Sequence, residues 1–286
     1  GSLRMSQRWS LVELLASGAV AWGSALSYRA SLRRCAWARY ARCMRFCGID
    51  LAAAPKFTGL AILSAEASSL KVESVAVGVT DEHLIHAISH TDGAGVDVPV
   101  GWPKPFVDFI QAHATQTLEP PVNTDGGWRR TLALRSTDID LHRRTGLTPL
   151  SVSANLIAYP AFRWAGIEAH LRERNVDVSR DGNGVIAEVY PAAALYRWGI
   201  AHTGYKGPKY ADIRQAMLEA ISVHFPALDW NGYETLLVAD DNALDAVIAA
   251  LVRHQIQQGQ CEGPPAHLRE LARREGWIWI PRPTDQ

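Results

Sequence analysis

Apolar residues fall in short strand-length runs through the first third of the chain and at helical spacing through much of the rest. Phe46 to Leu51, Thr58 to Leu63 and Leu70 to Val77 are such runs, separated by Ala-Pro-Lys and by Ser-rich turns. They predict three consecutive strands in an antiparallel meander. Thr80, Asp81 and Glu82 supply helix-start chemistry for a segment reaching about His90, and Gly93 and Gly95 lead into a strand at Val96 to Val98. Pro99 has no N–H to donate and stops the ladder there. Strand, strand, strand, helix, strand is the order of a mixed sheet whose first and fourth strands lie side by side in parallel.

Lys104 to Asn155 is rich in Pro, Thr and Gly and predicts an irregular insertion after the fourth strand, at about 104–155, with one helix from Thr137 to Arg144 closed by Gly146. Ser153 to Asn175 reads as helix, Val185 to Tyr190 as a strand ended by Pro191, and Tyr210 to His224 and Asp241 to Gln255 as further helices. The tail Gly276 to Pro281, GWIWIP, predicts an added edge strand or a packing peg. The fold class is therefore α/β, with a mixed sheet flanked by helices.

With 286 residues, 48% hydrophobic and 20% charged, the chain can bury one large core. It divides into an extension, residues 1–45, and a domain, residues 46–286. The formal net charge of zero conceals an asymmetry. Residues 1–46 carry eight Arg and one acid, Glu13; subtracting them from 29 basic and 29 acidic residues leaves 21 and 28, a net charge of −7 for residues 47–286. A protein that grips long duplex nucleic acid by its phosphates is usually basic, so that class is disfavoured.

The apolar stretch Leu11 to Leu26 follows Arg4 and Arg8 in the manner of a signal peptide, but Glu13 and two Gly interrupt it and it is too short to span a bilayer. No membrane partner is expected. Cys35, Cys43, Cys47 and Cys261 have no CxxC spacing, which favours reduced thiols and a cytoplasmic location.

Against this background four acids stand out, each inside a segment that otherwise reads as core: Asp50, Asp97, Glu188 and Asp245. An ionised carboxylate removed from water costs several kcal/mol unless a partner or metal compensates. Asp50 in CGIDLAAAP and Asp97 in VDVPVGWP each end an apolar strand, so parallel neighbours would place both at one edge of the sheet, where ligands of open α/β sheets collect. The plain alternative is two turn caps. On DDNALDAVIAALV, Asp245 shares a helix face with Ile248, Ala249 and Val252, and small Ala residues would let that helix approach the sheet closely. Asp241, one turn earlier, is either a further ligand or only the helix cap. Glu188 in VIAEVYP is either a site residue or a solvent-facing acid on an edge strand.

GIDLAAAP, VDVPVGWP, LRSTDIDL, AEVYPAAAL, GYKGPKY and DDNALDAVIAAL, in this order between about Cys47 and Pro281, resemble the predicted nuclease family catalogued as domain of unknown function 429. The resemblance implies an RNase H-like fold with a five-stranded sheet, a three-strand meander followed by parallel strands, and Asp50, Asp97, Glu188 and Asp245 as metal ligands. The terminal helix is similar to the acidic helix of RuvC-type resolvases, except that Asp241 and Asp245 are four residues apart where a resolvase has three. The chain lacks the Gly-x-Thr phosphate turn of the actin-like ATPases and sugar kinases after Asp50, so kinase chemistry is the weaker expectation.

The implied activity is phosphodiester hydrolysis by a carboxylate-bound Mg²⁺ or Mn²⁺ pair, acting on a short, structured or single-stranded nucleic acid or nucleotide. Arg135, Lys206 and Lys209, in loops or beside helix starts, are the candidate phosphate-binding cations. The alternative is a non-catalytic RNase H-like module that binds a nucleotide or a partner. His83, His86 and His90 recur on one predicted helix, but without a Cys or acidic fourth ligand they read as residues flanking buried Leu84, Ile85 and Ile88.

Overall fold

The computed structural model describes residues Cys43–Pro283; the expected extension, up to residue 42, and Cys35 lie outside the described residues. The chain opens with strands β1 (Met44–Asp50), β2 (Gly59–Glu66) and β3 (Ser69–Val77), helix α1 (Asp81–Ser89) and strand β4 (Gly93–Asp97). Helices α2 (Lys104–Ala114), α3 (Gly126–Ala133), α4 (Ser136–Thr145) and α5 (Ala158–Glu173) precede β5 (Ile186–Val189). Then come α6 (Pro191–Arg197), α7 (Ala211–His224), β6 (Leu228–Asp229), α8 (Glu234–Ala239) and α9 (Asp241–Gln257). The described chain closes with β7 (Cys261–Glu262), α10 (Arg269–Glu275) and β8 (Ile278–Pro281).

The protein is mixed α/β, and its sheet has eight strands in the order β6-β3-β2-β1-β4-β5-β8-β7 rather than the five expected. β1, β2 and β3 form the antiparallel meander, and β4 lies parallel to β1 with Asp50 opposite Asp97. The additional strands are short: β6 and β7 have two residues each, and GWIWIP supplies β8. β8 is not an edge, because it pairs in parallel with β5 on one side and antiparallel with β7 on the other.

The predicted irregular insertion holds three helices instead of one. Its polar composition belongs to the connections, while Asp125 starts α3 by accepting the Trp128 N–H at 2.9 Å. α5 begins at Ala158, five residues later than the sequence suggests. Ser151 and Ser153 donate their hydroxyls to the carbonyls of Ala133 and Leu132, at 2.6 and 2.7 Å, and these side-chain bonds hold the segment before α5 in turns.

Each face of the sheet has its own core. Leu84, Ile85 and Ile88 of α1 and Trp164, Ile167 and Leu171 of α5 cover one face, packing on Cys47, Ile49, Ala94 and Val96. The other face is covered by α9, which is buried from Ala243 to Arg253 and itself lies under α7 and α8. A helix apolar on all sides belongs in such a middle layer. It comes down onto glycines: a Cβ added to Gly48 or Gly95 would collide with the backbone of Ala246 or Ala249. No helix among the described residues is long and apolar enough to cross a membrane.

Candidate functional site

Strand alternation gives Asp50 and Asp97 the same face as Gly48 and Gly95, and therefore the face that meets α9. The close approach of α9 brings Asp245, fully buried on its first turns, to the same end of the sheet. Three aspartates separated by up to 195 residues thus converge where β1 and β4 end. Lys206 joins them from the loop before α7, forming an ion pair with Asp245 Oδ2, while its own side chain remains 55% exposed.

The charges are unevenly matched. Burial pushes the Asp50 carboxyl well above the usual range, and the neighbouring Asp245 and Asp97 push it further. Burial raises Asp97 to about 7, against the pull of Lys206. Asp245 is also raised by burial, with Lys206 and Tyr205 acting in the opposite direction. Burial alone would lower the Lys206 pKa, but Asp245, Asp50 and Asp97 more than offset it and hold the ammonium charged.

Several neighbours that sequence reasoning passed over position this group. Tyr205 donates its hydroxyl to Asp245 Oδ1 at 2.8 Å. Buried Arg214 donates to the carbonyls of Tyr205 and Gly207, at 2.6 and 2.8 Å, and to Val238 and Ala239 on the other side, pinning the Lys206 loop to the start of α9. Its signal was present in the sequence: Arg214 lies three, four and seven residues before Met217, Leu218 and Ile221, on the apolar stripe of α7. Asp240, not Asp241, caps α9, accepting the N–H groups of Asn242 and Ala243 at 2.8 and 3.2 Å. Asp241 accepts the Gly207 N–H at 2.9 Å and so also braces the loop.

Glu188 and Arg135 are placed elsewhere. Glu188 is opposite Val96, one residue short of Asp97, and alternation turns it to the other face of the sheet. There Arg135 grips it with two bonds of 2.7 Å, and Val100 N–H donates to it at 3.1 Å. Arg135 is 1% exposed and spends its five N–H donors on Glu188, Asp138 and the Glu275 carbonyl. This corrects the expectation of a phosphate-binding Arg135, since no donor is left for a substrate. Burial opposes its charge, but Glu188 and Asp138 hold its pKa above the ordinary value. Lys209 is exposed and packs over the ring of Tyr210, 4.8 Å from its centroid. His86 and His90 stack on each other at 4.1 Å on the outside of α1.

The oxygen donors Asp50, Asp97 and Asp245, like-charged and compensated by one lysine, have the chemistry that suits a hard divalent cation. Among the described residues no three His, Cys, Asp or Glu side chains are disposed to hold a metal ion as they stand. The Lys206 ammonium serves as the counter-ion of the group in this arrangement.

A family model described as "Protein of unknown function (DUF429)" matches residues 48–270. No curated protein and no solved structure matches the chain.

Proposed function

The chain belongs to the DUF429 family, and from that premise and the geometry of the three aspartates we propose a Mg²⁺- or Mn²⁺-dependent nuclease of RNase H-like type, acting in the cytoplasm. The observation that carries this reading is the convergence of Asp50, Asp97 and Asp245 from two parallel strands and a closely packed helix. The meander, the parallel neighbours and the acidic helix laid across them support the RNase H-like assignment. Asp50, Asp97 and Asp245 would hold the cation, with Asp50 shared between two ions if a pair binds. A hard divalent ion supplies an activated water and charge stabilisation at a phosphoryl oxygen. Tyr205 orients Asp245, and Asp241 and Arg214 set the Lys206 loop. With more than half of its side chain exposed, Lys206 is free to exchange Asp245 for a substrate phosphate. Glu188 serves this site indirectly, by holding Val100 and hence the chain that leaves Asp97.

A second reading, a non-catalytic module that binds a nucleotide or a partner, is favoured by the ion pair itself: Lys206 already neutralises part of the cluster. Asp245→Asn separates the two. A metal ligand at this position predicts at least about a hundredfold loss of Mn²⁺-dependent cleavage across single-stranded, duplex and hybrid oligonucleotides, with stability equal or raised. Wild-type chain inactive on that whole panel with either ion would sink the nuclease reading.

A further inference from the structure

A cavity of about 160 Å³ lies where β4 and β5 end, and Asp97 is part of its wall. Pro99, Leu150, Ile157 and the half-buried ring of Tyr190 make the rest of it largely apolar. Arg135 and Glu188 also reach it, but they are committed to each other. Such a wall suits an uncharged group better than a charged one.

An aromatic ledge stands nearby. Trp102, five residues beyond Asp97, stacks with Phe162 at 5.9 Å and an interplanar angle of 18°. Tyr159 meets the edge of Phe162 at 6.3 Å, and both rings are 60% exposed. The ledge is fixed relative to the carboxylates, because Arg163, next to Phe162, donates to the Ala52 carbonyl two residues past Asp50 at 2.8 Å and to Thr58 Oγ1 at 2.6 Å. Tyr159 and Phe162 are exposed on a braced helix whose N-cap residue, Ile157, lines the cleft, and packing does not explain their exposure.

We infer that the cleft and the Trp102–Tyr159–Phe162 ledge form a binding surface for the unpaired bases of a single-stranded nucleic acid whose backbone lies at Asp50 and Asp97. The inference rests on the phosphodiester reading for its choice of ligand and narrows that reading to one substrate class. Unpaired bases offer the faces that stacking on the ledge requires, whereas in a duplex the neighbouring pairs cover them. The net charge of −7 over residues 47–286 points the same way, since a domain that gains little from gripping phosphates draws affinity from base stacking instead.

The test is a metal-free anisotropy titration of the full chain with labelled poly(dT) and with its duplex, which keeps stacking separate from metal chemistry. We expect the single strand to bind at least about tenfold tighter than the duplex. Phe162→Ala and Tyr159→Ala should each weaken it by roughly tenfold, while Phe162→Trp should retain it. Both positions are exposed, and unchanged melting curves would show that the variants fold. Equal affinity for strand and duplex, or strand affinity indifferent to both alanines, overturns the inference. So does self-association that the alanines abolish in place of strand binding, which would assign the ledge to a second copy of the chain. Calorimetry with Mn²⁺ judges the catalytic reading separately: strand binding without Mn²⁺ binding keeps the ledge and loses the nuclease, and Mn²⁺ binding without strand binding does the reverse.

Discussion

Two groups of buried charge lie on opposite faces of one sheet, and they are built on opposite principles. Around Arg135, the guanidinium donors are matched by Glu188, Asp138 and a carbonyl. Around Asp245, three aspartates share one lysine whose own side chain is half in water. The balanced group ties α4 to β5 and to the loop after β4. The unbalanced group leaves buried carboxylates with a single, partly exposed counter-charge among them. Saturation separates architecture from candidate chemistry here better than burial does, since both groups are buried.

Removing the centre of the balanced group should have the largest effect. Arg135→Met leaves buried Glu188 and Asp138 with backbone donors but no counter-charge and should cost about 3–5 kcal/mol in urea denaturation. A loss under about 1 kcal/mol would show that the network is not structural. The unbalanced group should respond in the opposite sense, because its folded state favours protonation. With the Asp97 pKa raised from 3.8 to about 7, the folded chain binds a proton that the unfolded chain releases, so stability is present at low pH and falls as pH rises through that window. In metal-free buffer Asp97→Asn should remove up to about 4 kcal/mol of that decline, leaving a remainder from the raised Asp50, Asp245 and Glu188. An unaltered pH profile would place the titration elsewhere. The smallest effect concerns the helix start: Asp240→Ala should cost about 1 kcal/mol as a lost cap. Asp241→Asn should change stability by less than about 0.5 kcal/mol, because an amide oxygen still accepts from Gly207. Reversed magnitudes would mean that Asp241 is the cap after all.

What could be read from the sequence follows the same division. Asp50, Asp97 and Asp245 are conspicuous because each interrupts an apolar run whose period is clear, and the parallel pairing of β1 with β4 follows from strand order. Glu188 is equally conspicuous, but its face depends on a register in which a shift of one residue reverses the side chain. Arg135 reads as a loop cation because Glu188, which draws it to the sheet, is 53 residues away, and Asp138, three residues on, reads only as an acid in the first turn of a helix. β6 and β7 have two residues each, too short to carry any periodicity, and the place of β8 between β5 and β7 is a tertiary choice. Two of the four helices between β4 and β5, α2 and α3, were hidden by the Pro, Thr and Gly of their connections.

The glycines under α9 have a consequence for how such a site can drift over generations. A methyl group at Gly48 or Gly95 would not merely crowd a neighbour; it would meet main chain that cannot rotate away, so the helix as a whole would have to lift. Lifting it would carry Asp245 away from Asp50 and Asp97 while most strands, turns and outer helices kept their pairings. A lineage could thus lose the meeting of its acids in one step and keep its fold, and regaining it would require the same small residue to return.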